Sequence, residues 1–143
     1  MMIVSKNPVI RCTGALIFDP RGRLLLVKRA NPPGKGRWSV PGGRVEDGEN
    51  DHSAVRREVL EETGLQVTVG DLVGRVERPA PHGTYEILDY SCRATEWEIS
   101  PGDDAADAMW ADGATFTTLA RNGALVEGLA EALTSWDCLP RNE

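Results

Sequence analysis

The chain has too few cysteines and histidines, in the wrong places, for a disulfide framework or a zinc site. Cys12, Cys92 and Cys138 are odd in number and widely spaced, form no CxxC pair, and read as core or surface thiols. His52 and His82 are the only histidines to add, which leaves zinc without a donor set. No apolar run approaches the roughly 18–20 residues that span a bilayer. The opening MMIVSKNPVIRC lacks the basic and apolar regions of a signal peptide, so a cytoplasmic location away from membranes is expected. Positive charge is scarce as well. A net charge of −6 and a pI near 5.0 give no basic footprint for nucleic acid. A polyanionic substrate remains possible where metal ions bridge it to the protein. Repeats, low-complexity tracts and linkers are absent, and 143 residues fit one domain, 1–143, with a sizeable core.

What is present reads as an α/β chain. Val9 to Phe18 and Leu24 to Arg29 are apolar runs around Asp19-Pro20-Arg21-Gly22-Arg23, which predicts an antiparallel hairpin. Asn31 to Gly36 is a loop, and Trp38 to Val40 a short strand stopped by Pro41-Gly42-Gly43. A helix is expected over Asp51 to Thr63, with Asn50 as its N-cap and Gly64 at its C-terminal stop. Val67 to Val76 and Tyr85 to Thr95 read as strands around the loop RPAPHG. Ser100 to Asp107 reads as a loop and Ala108 to Ala111 as a short strand. The spacing of Leu125, Leu129 and Leu133 predicts a helix over Ala124 to Ser135.

The helix after Gly43 carries the chemistry. Glu58, Glu61 and Glu62 fall on one side of it, although each like-charged pair three or four apart costs roughly 0.2–0.5 kcal/mol. Such a face is often simply solvated. Here Glu49 adds a carboxylate just before the N-cap, and Arg57 offers a counter-charge that fixes one glutamate and leaves others free. Pro41-Gly42-Gly43 supplies a loop that lets backbone approach a ligand closely. Clustered carboxylates and backbone oxygens suit a hard cation such as Mg²⁺, with substrate phosphates completing its shell.

Gly43, Glu49, Arg57, Glu58, Val59, Glu61, Glu62, Gly64 and Leu65 match, at every position, the Nudix box G-x5-E-x7-R-E-U-x-E-E-x-G-U, where U is aliphatic. Seven fixed residues at roughly 7% usage each give a chance match on the order of 10⁻⁸ per start point. The chain therefore resembles the Nudix hydrolase family. The resemblance implies an α/β/α sandwich around a mixed β-sheet, and hydrolysis of a nucleoside diphosphate linked to another moiety. It implies Glu58, Glu61 and Glu62 as ligands of Mg²⁺ (or Mn²⁺), with the Gly42 carbonyl as a further ligand. Glu49 becomes an outer-sphere or structural partner beside Gly43 and Gly64, and Arg57 orients the glutamates. Catalytic work falls to Glu58, Glu61 and Arg57, with the general base either a box glutamate or an acid of the later loop. Asp103, Asp104 and Asp107 supply such acids, and Asp107, three residues before Trp110, sits where relatives often carry one.

Arg29, at the end of a strand, and Arg37, with Lys35 beside the glycine-rich loop, are candidates to reach a phosphate. Tyr85, Tyr90 and Trp97 are candidates to stack a base, against the commoner role of strand aromatics as core. Pro81 falls 16 residues after Leu65, the distance that marks many ADP-ribose pyrophosphatases in the family. The resemblance thus points first to ADP-ribose, split to AMP and ribose 5-phosphate, and to a homodimer. A MutT-like nucleoside triphosphate pyrophosphohydrolase is the alternative, and a nucleotide-binding domain without catalysis a further one.

Overall fold

Two strands with apolar residues on both faces set the architecture. In β1 (Val9–Ile17), Ala15, Leu16 and Ile17 are all buried, and so are Leu24, Leu25, Leu26 and Val27 in β2 (Leu24–Arg29). Strands buried on both sides need cover on both sides. The structure is a computed structural model describing residues 8–102 and 104–142. Asp103 and the first seven residues, on which part of the sequence reading falls, lie outside the described residues.

After β1 and β2 come β3 (Trp38–Ser39), β4 (Gly42–Arg44), α1 (Asp51–Thr63), β5 (Val67–Ala80), β6 (Gly83–Ala94) and β7 (Ala105–Ala111). Helices α2 (Gly113–Arg121) and α3 (Leu129–Ser135) follow. The strands form a mixed four-stranded sheet, ordered β4-β1-β6-β5, and a three-stranded antiparallel sheet, ordered β3-β2-β7. In the first sheet β1 runs parallel to β6 and antiparallel to β4.

The expected hairpin of β1 with β2 does not form; the two strands share only an isolated bridge, Phe18 to Leu24. The reason is that β4 and β6 occupy both edges of β1, so β2 begins the second sheet. The turn between them is held by Asp19, whose carboxylate accepts from the N–H groups of Arg21 and Arg23 and pairs with the Arg23 guanidinium. Beyond α1, the expected RPAPHG loop is mostly strand. Pairing of β5 with β6 runs to Ala80 opposite Gly83, leaving Pro81 and His82 as the turn. Pro79 is tolerated because β5 is an edge strand. Strand β7 begins at Ala105 rather than Ala108, which places Asp107 in a strand opposite Lys28.

Helix α1 has the expected limits. The Asn50 side chain accepts from the Ser53 N–H at 2.8 Å, and Gly64, at φ 78°, donates to the Leu60 carbonyl from the left-handed conformation. Helix α2 was not foreseen; its Thr-rich sequence has weak propensity and fully buries one residue, Phe116. Asp112 caps it by accepting from the Thr115 N–H. Helix α3 is shorter than the predicted 124–135, because Leu125 instead bridges Trp38 in parallel.

The helices supply the cover that β1 and β2 require. Val55 and Val59 of α1 pack with Ala15, Ile17, Leu25, Leu88 and Cys92 on one side. Phe116 of α2, with Leu129 and Leu133 of α3, packs with Leu16, Leu24 and Leu26 on the other. The layers are thus helix, sheet, helix, as an α/β/α sandwich requires. Among the described residues no helix is long and apolar enough to cross a membrane. Leu133 has no exposed surface. Leu133→Ala is expected to lower unfolding free energy by about 2–5 kcal/mol, read from urea denaturation, since truncation leaves a cavity under α3.

Candidate functional site

Arg57 joins helix α1 to the loop before it. Its guanidinium grips Glu49 with two bonds, Nε at 2.6 Å and Nη2 at 2.9 Å. Nη1 donates to Glu58 at 2.8 Å and to Glu61 at 3.0 Å, and Nη2 also reaches the Arg44 carbonyl. One planar fork therefore fixes three carboxylates and the β4 backbone, which lysine geometry does not allow. The Arg57 bonds hold the Glu49 carboxyl down at about 2, helped by the Glu46 N–H, which Glu49 also accepts. Bonding to Glu49, then to Glu58 and Glu61, pushes Arg57 above its ordinary value.

Glu62 is 6% exposed, on the buried side of the helix, and accepts from the Gly42 N–H at 3.1 Å. Burial raises its pKa, and the hydrogen bond that a protonated Glu62 donates to the neighbouring Glu58 carboxylate raises it further. Like charges brought together out of water thus favour the protonated form of Glu62. Gly43 makes this possible: a Cβ there would stand 2.6 Å from the Glu58 carboxyl. Glu61 turns outward to Arg57, with its side chain 49% exposed. Among the described residues, no three acidic, His or Cys side chains converge as an ion-holding group. Glu58 and Glu62 meet, and Gly42 touches the pair through its N–H.

These carboxylates open onto a cleft of about 640 Å³. It lies between the Pro32–Gly34 loop, β4, the faces of β1 and β6, and the start of α3. Arg29 and Arg37, the candidates to reach a phosphate, both line it, and the Arg29 N–H donates to the Arg37 carbonyl across their loop. Asp104 lines it and Asp107 does not; Asp107 is exposed on β7, bonded to the Ala108 N–H. Pro79 borders the cleft, while Pro81 is exposed in the turn beyond it. Of the three aromatics singled out, Tyr85 lines the cleft, Tyr90 donates to Asp51, and Trp97 packs edgewise on Trp110. Arg78 and Asp89 also line it and were missed. Asp89 is 4% exposed, and burial holds its pKa up at about 6. In sequence Asp89 reads as an ordinary polar position of a strand, and Arg78 as the first residue of the expected RPAPHG loop.

The model of the NUDIX domain matches residues 9–112, covering the first sheet, α1 and its carboxylates, and β7. The chain belongs to the Nudix family. An ADP-ribose pyrophosphatase of Methanocaldococcus jannaschii is 37% identical over 108 residues, covering 74% of this chain and 63% of its own. An oxidized purine nucleoside triphosphate hydrolase of Danio rerio is 35% identical over 102 residues, covering 70% of this chain and 64% of its own. The Nudix chain thus spans less than two thirds of the length of either relative. Among solved structures, a MutT protein from Methanosarcina mazei Go1 has a TM-score of 0.82 at 23% identity, covering 94% of this chain and 96% of that one. A bifunctional NMN adenylyltransferase/ADP ribose pyrophosphatase from Francisella tularensis, complexed with AMP and a manganese ion, has a TM-score of 0.79 at 24% identity. It covers 94% of this chain and 43% of that one. These two share the Nudix fold.

The Glu49–Arg57 pair gives a measurable acid dependence. Glu49 falls from its ordinary 4.5 to about 2 in the folded chain, so it stabilises the fold above pH 4.5 and that contribution vanishes as pH drops toward 2. Glu49→Gln is expected to lower the melting temperature at pH 7 and to flatten its decline between pH 4.5 and 2. Scanning fluorimetry across that window checks it, and parallel declines in the two proteins contradict it.

Proposed function

We propose that the chain is a metal-dependent pyrophosphohydrolase that splits ADP-ribose into AMP and ribose 5-phosphate. The observation that carries the reading is the meeting of Glu58 with the buried Glu62 beside the Gly42 backbone, where both carboxyls line the cleft. A pair of that kind fits a divalent cation, whose charge offsets the repulsion, and its all-oxygen donors suit Mg²⁺ or Mn²⁺. Glu58, Glu62 and the Gly42 backbone would hold the ion; Glu61, turned outward to Arg57, would have to leave that bond to join them.

When bound, the ion supplies charge neutralisation of the diphosphate and an acidified water. The protein does the remainder. Arg57 holds Glu49, Glu58 and Glu61 in fixed relative positions. Arg29 and Arg37, which line the same cleft, attract the phosphates and orient them against the carboxylates. Glu58 and Glu62 both line the cleft, so a carboxylate of this pair left free of the ion, rather than Asp107, would take the proton of the water. Asp104 is the later-loop acid with access to the cleft.

ADP-ribose is favoured by the spacing of Pro81 from the box and by the 37% identity to a relative of that name. The second reading, a MutT-like triphosphate pyrophosphohydrolase, draws on the 35% identical Danio rerio relative and on the place of Pro81 outside the cleft.

Exhaustive chelation is expected to abolish activity, with Mg²⁺ or Mn²⁺ restoring it and Ca²⁺ restoring little. Activity that persists without metal contradicts the proposal. Glu58→Gln and Glu62→Gln are each expected to lower kcat by at least roughly 100-fold, and Asp107→Asn by less than about tenfold. An Asp107→Asn loss larger than either glutamate change moves the base to the later loop. Chromatography of products at equal Mg²⁺ decides the substrate. A pocket built for the terminal ribose leaves polar groups unpaired when a phosphate replaces it, at about 1–3 kcal/mol each. A kcat/KM preference for ADP-ribose of about tenfold or more is therefore expected. Faster pyrophosphate release from a triphosphate favours the MutT-like reading instead.

A further inference from the structure

Asp89 is an unusual group for the floor of an apolar cleft. It sits on β6 opposite Gly14 of β1, 4% exposed, and its Oδ1 is buried without a hydrogen-bond partner. A buried polar atom left unpaired in this way is costly, and in a native protein it calls for a reason. Room has been made for it. A Cβ on Gly14 would stand 2.1 Å from that same oxygen, so only glycine lets the carboxyl lie over β1. Arg78, whose charge bears on Asp89, gives its own donors to the carbonyls of Glu127 and Glu77. The carboxyl is thus surrounded but not engaged.

Position narrows what it serves. Gly14 is paired on one side with Asp89 and on the other with Gly42, whose N–H meets Glu62. The Asp89 backbone is therefore two strands, about 10 Å, across the sheet from Gly42, with the carboxyl itself lying over β1 between them. A nucleotide held by its phosphates at the carboxylate pair would lay its nucleoside along this floor. Val40, Ile87 and Leu129 line the cleft with Asp89, and Tyr85 adds an aromatic face, which suits a flat ring. A second phosphate is a poor occupant, since a carboxylate repels it. At neutral pH an Asp titrating at about 6 is mostly ionised and accepts only.

We infer that Asp89 reads the nucleobase: its carboxylate accepts a hydrogen bond from the exocyclic amine of the base. The amine is that of adenine, on the ADP-ribose reading above, and the inference rests on that site for its phosphates. Asp89 would then be a specificity-determining residue that touches substrate at a point remote from the scissile bond. A base that carries a carbonyl in place of the amine brings two acceptors together and is disfavoured.

The test is binding rather than turnover, using AMP, IMP and ribose 5-phosphate at fixed Mg²⁺ in calorimetric titrations of the full chain. AMP and IMP differ in the amine alone among their exocyclic groups and need no variant to be compared. AMP is expected to bind about tenfold or more tightly than IMP to the native protein. In Asp89→Val the two are expected to fall within about threefold of each other, and in Asp89→Asn, whose amide can turn either its oxygen or its NH₂ to the base, the preference shrinks. Asp89→Val should melt no lower than the native chain, since it removes an unpaired buried group, so lost discrimination is not lost folding. Equal binding of AMP and IMP by the native protein overturns the inference, as does a preference that survives Asp89→Val. A matching loss of ribose 5-phosphate affinity in Asp89→Val assigns the carboxylate to the sugar and also overturns it. Discrimination through Asp89 without cleavage of ADP-ribose would keep this inference and remove the substrate reading. Cleavage of ADP-ribose without discrimination would do the reverse.

Discussion

The guanidinium of Arg57 is the constraint on which the rest of the site depends. A helix bearing Glu58, Glu61 and Glu62 within two turns is self-repelling, and the loop before it brings Glu49 and Glu46 closer still. Arg57 bonds to three of these acids and to the β4 backbone at once. The arrangement leaves one carboxylate, Glu62, beyond its reach. That residue is buried and turned inward to Gly42, where it meets Glu58. Charge is thus offset by pairing on the outer side of the helix, while on the inner side burial and the nearby Glu58 favour the protonated form of Glu62.

The glycines near this helix follow from the same crowding. Gly43 leaves space for the Glu58 carboxyl, and Gly64 turns the chain away after the last glutamate. On the far side of β1, Gly14 leaves space for Asp89. In two places, then, an absent side chain on one strand admits a carboxyl from the neighbouring element. The cleft thus carries acids in two places, Glu58 with Glu62 and the buried Asp89, among Arg29, Arg37, Arg44 and Arg78, which also line it.

Much of the fold was legible where the signal is local. The Asn50 cap and the Gly64 stop marked both ends of α1, and the box residues marked the glutamates, Arg57 and Gly43. Pairing between strands was not legible, because edges are claimed by partners remote in sequence; nothing in Asp19 to Arg23 reveals that β4 and β6 exclude β2 from β1. Proline misled in RPAPHG, where an edge strand accepts Pro79 that a central one would reject. Asp89 escaped notice because EILDYSC alternates as any half-buried strand does, and only the three-dimensional pairing with Gly14 shows the polar residue facing inward. Helix α2 had a cap in Asp112, but its apolar repeat, Phe116 and Leu119, is too short to stand out.

The parallel pairing of β1 with β6 also bears on how the molecule assembles in time. Its partners, such as Val9 with Thr84 and Ile17 with Cys92, lie about half the chain apart. Closing so long a loop is entropically slow compared with coiling a capped helix. Helix α1, with its arginine and glutamates, can therefore form early from neighbours in sequence. The cleft floor comes into being only when the chain has been made past β6 and returns to β1. A nascent or partly unfolded chain would carry the acidic helix without a surface to present it to, so the helix acquires an address for its chemistry last of all.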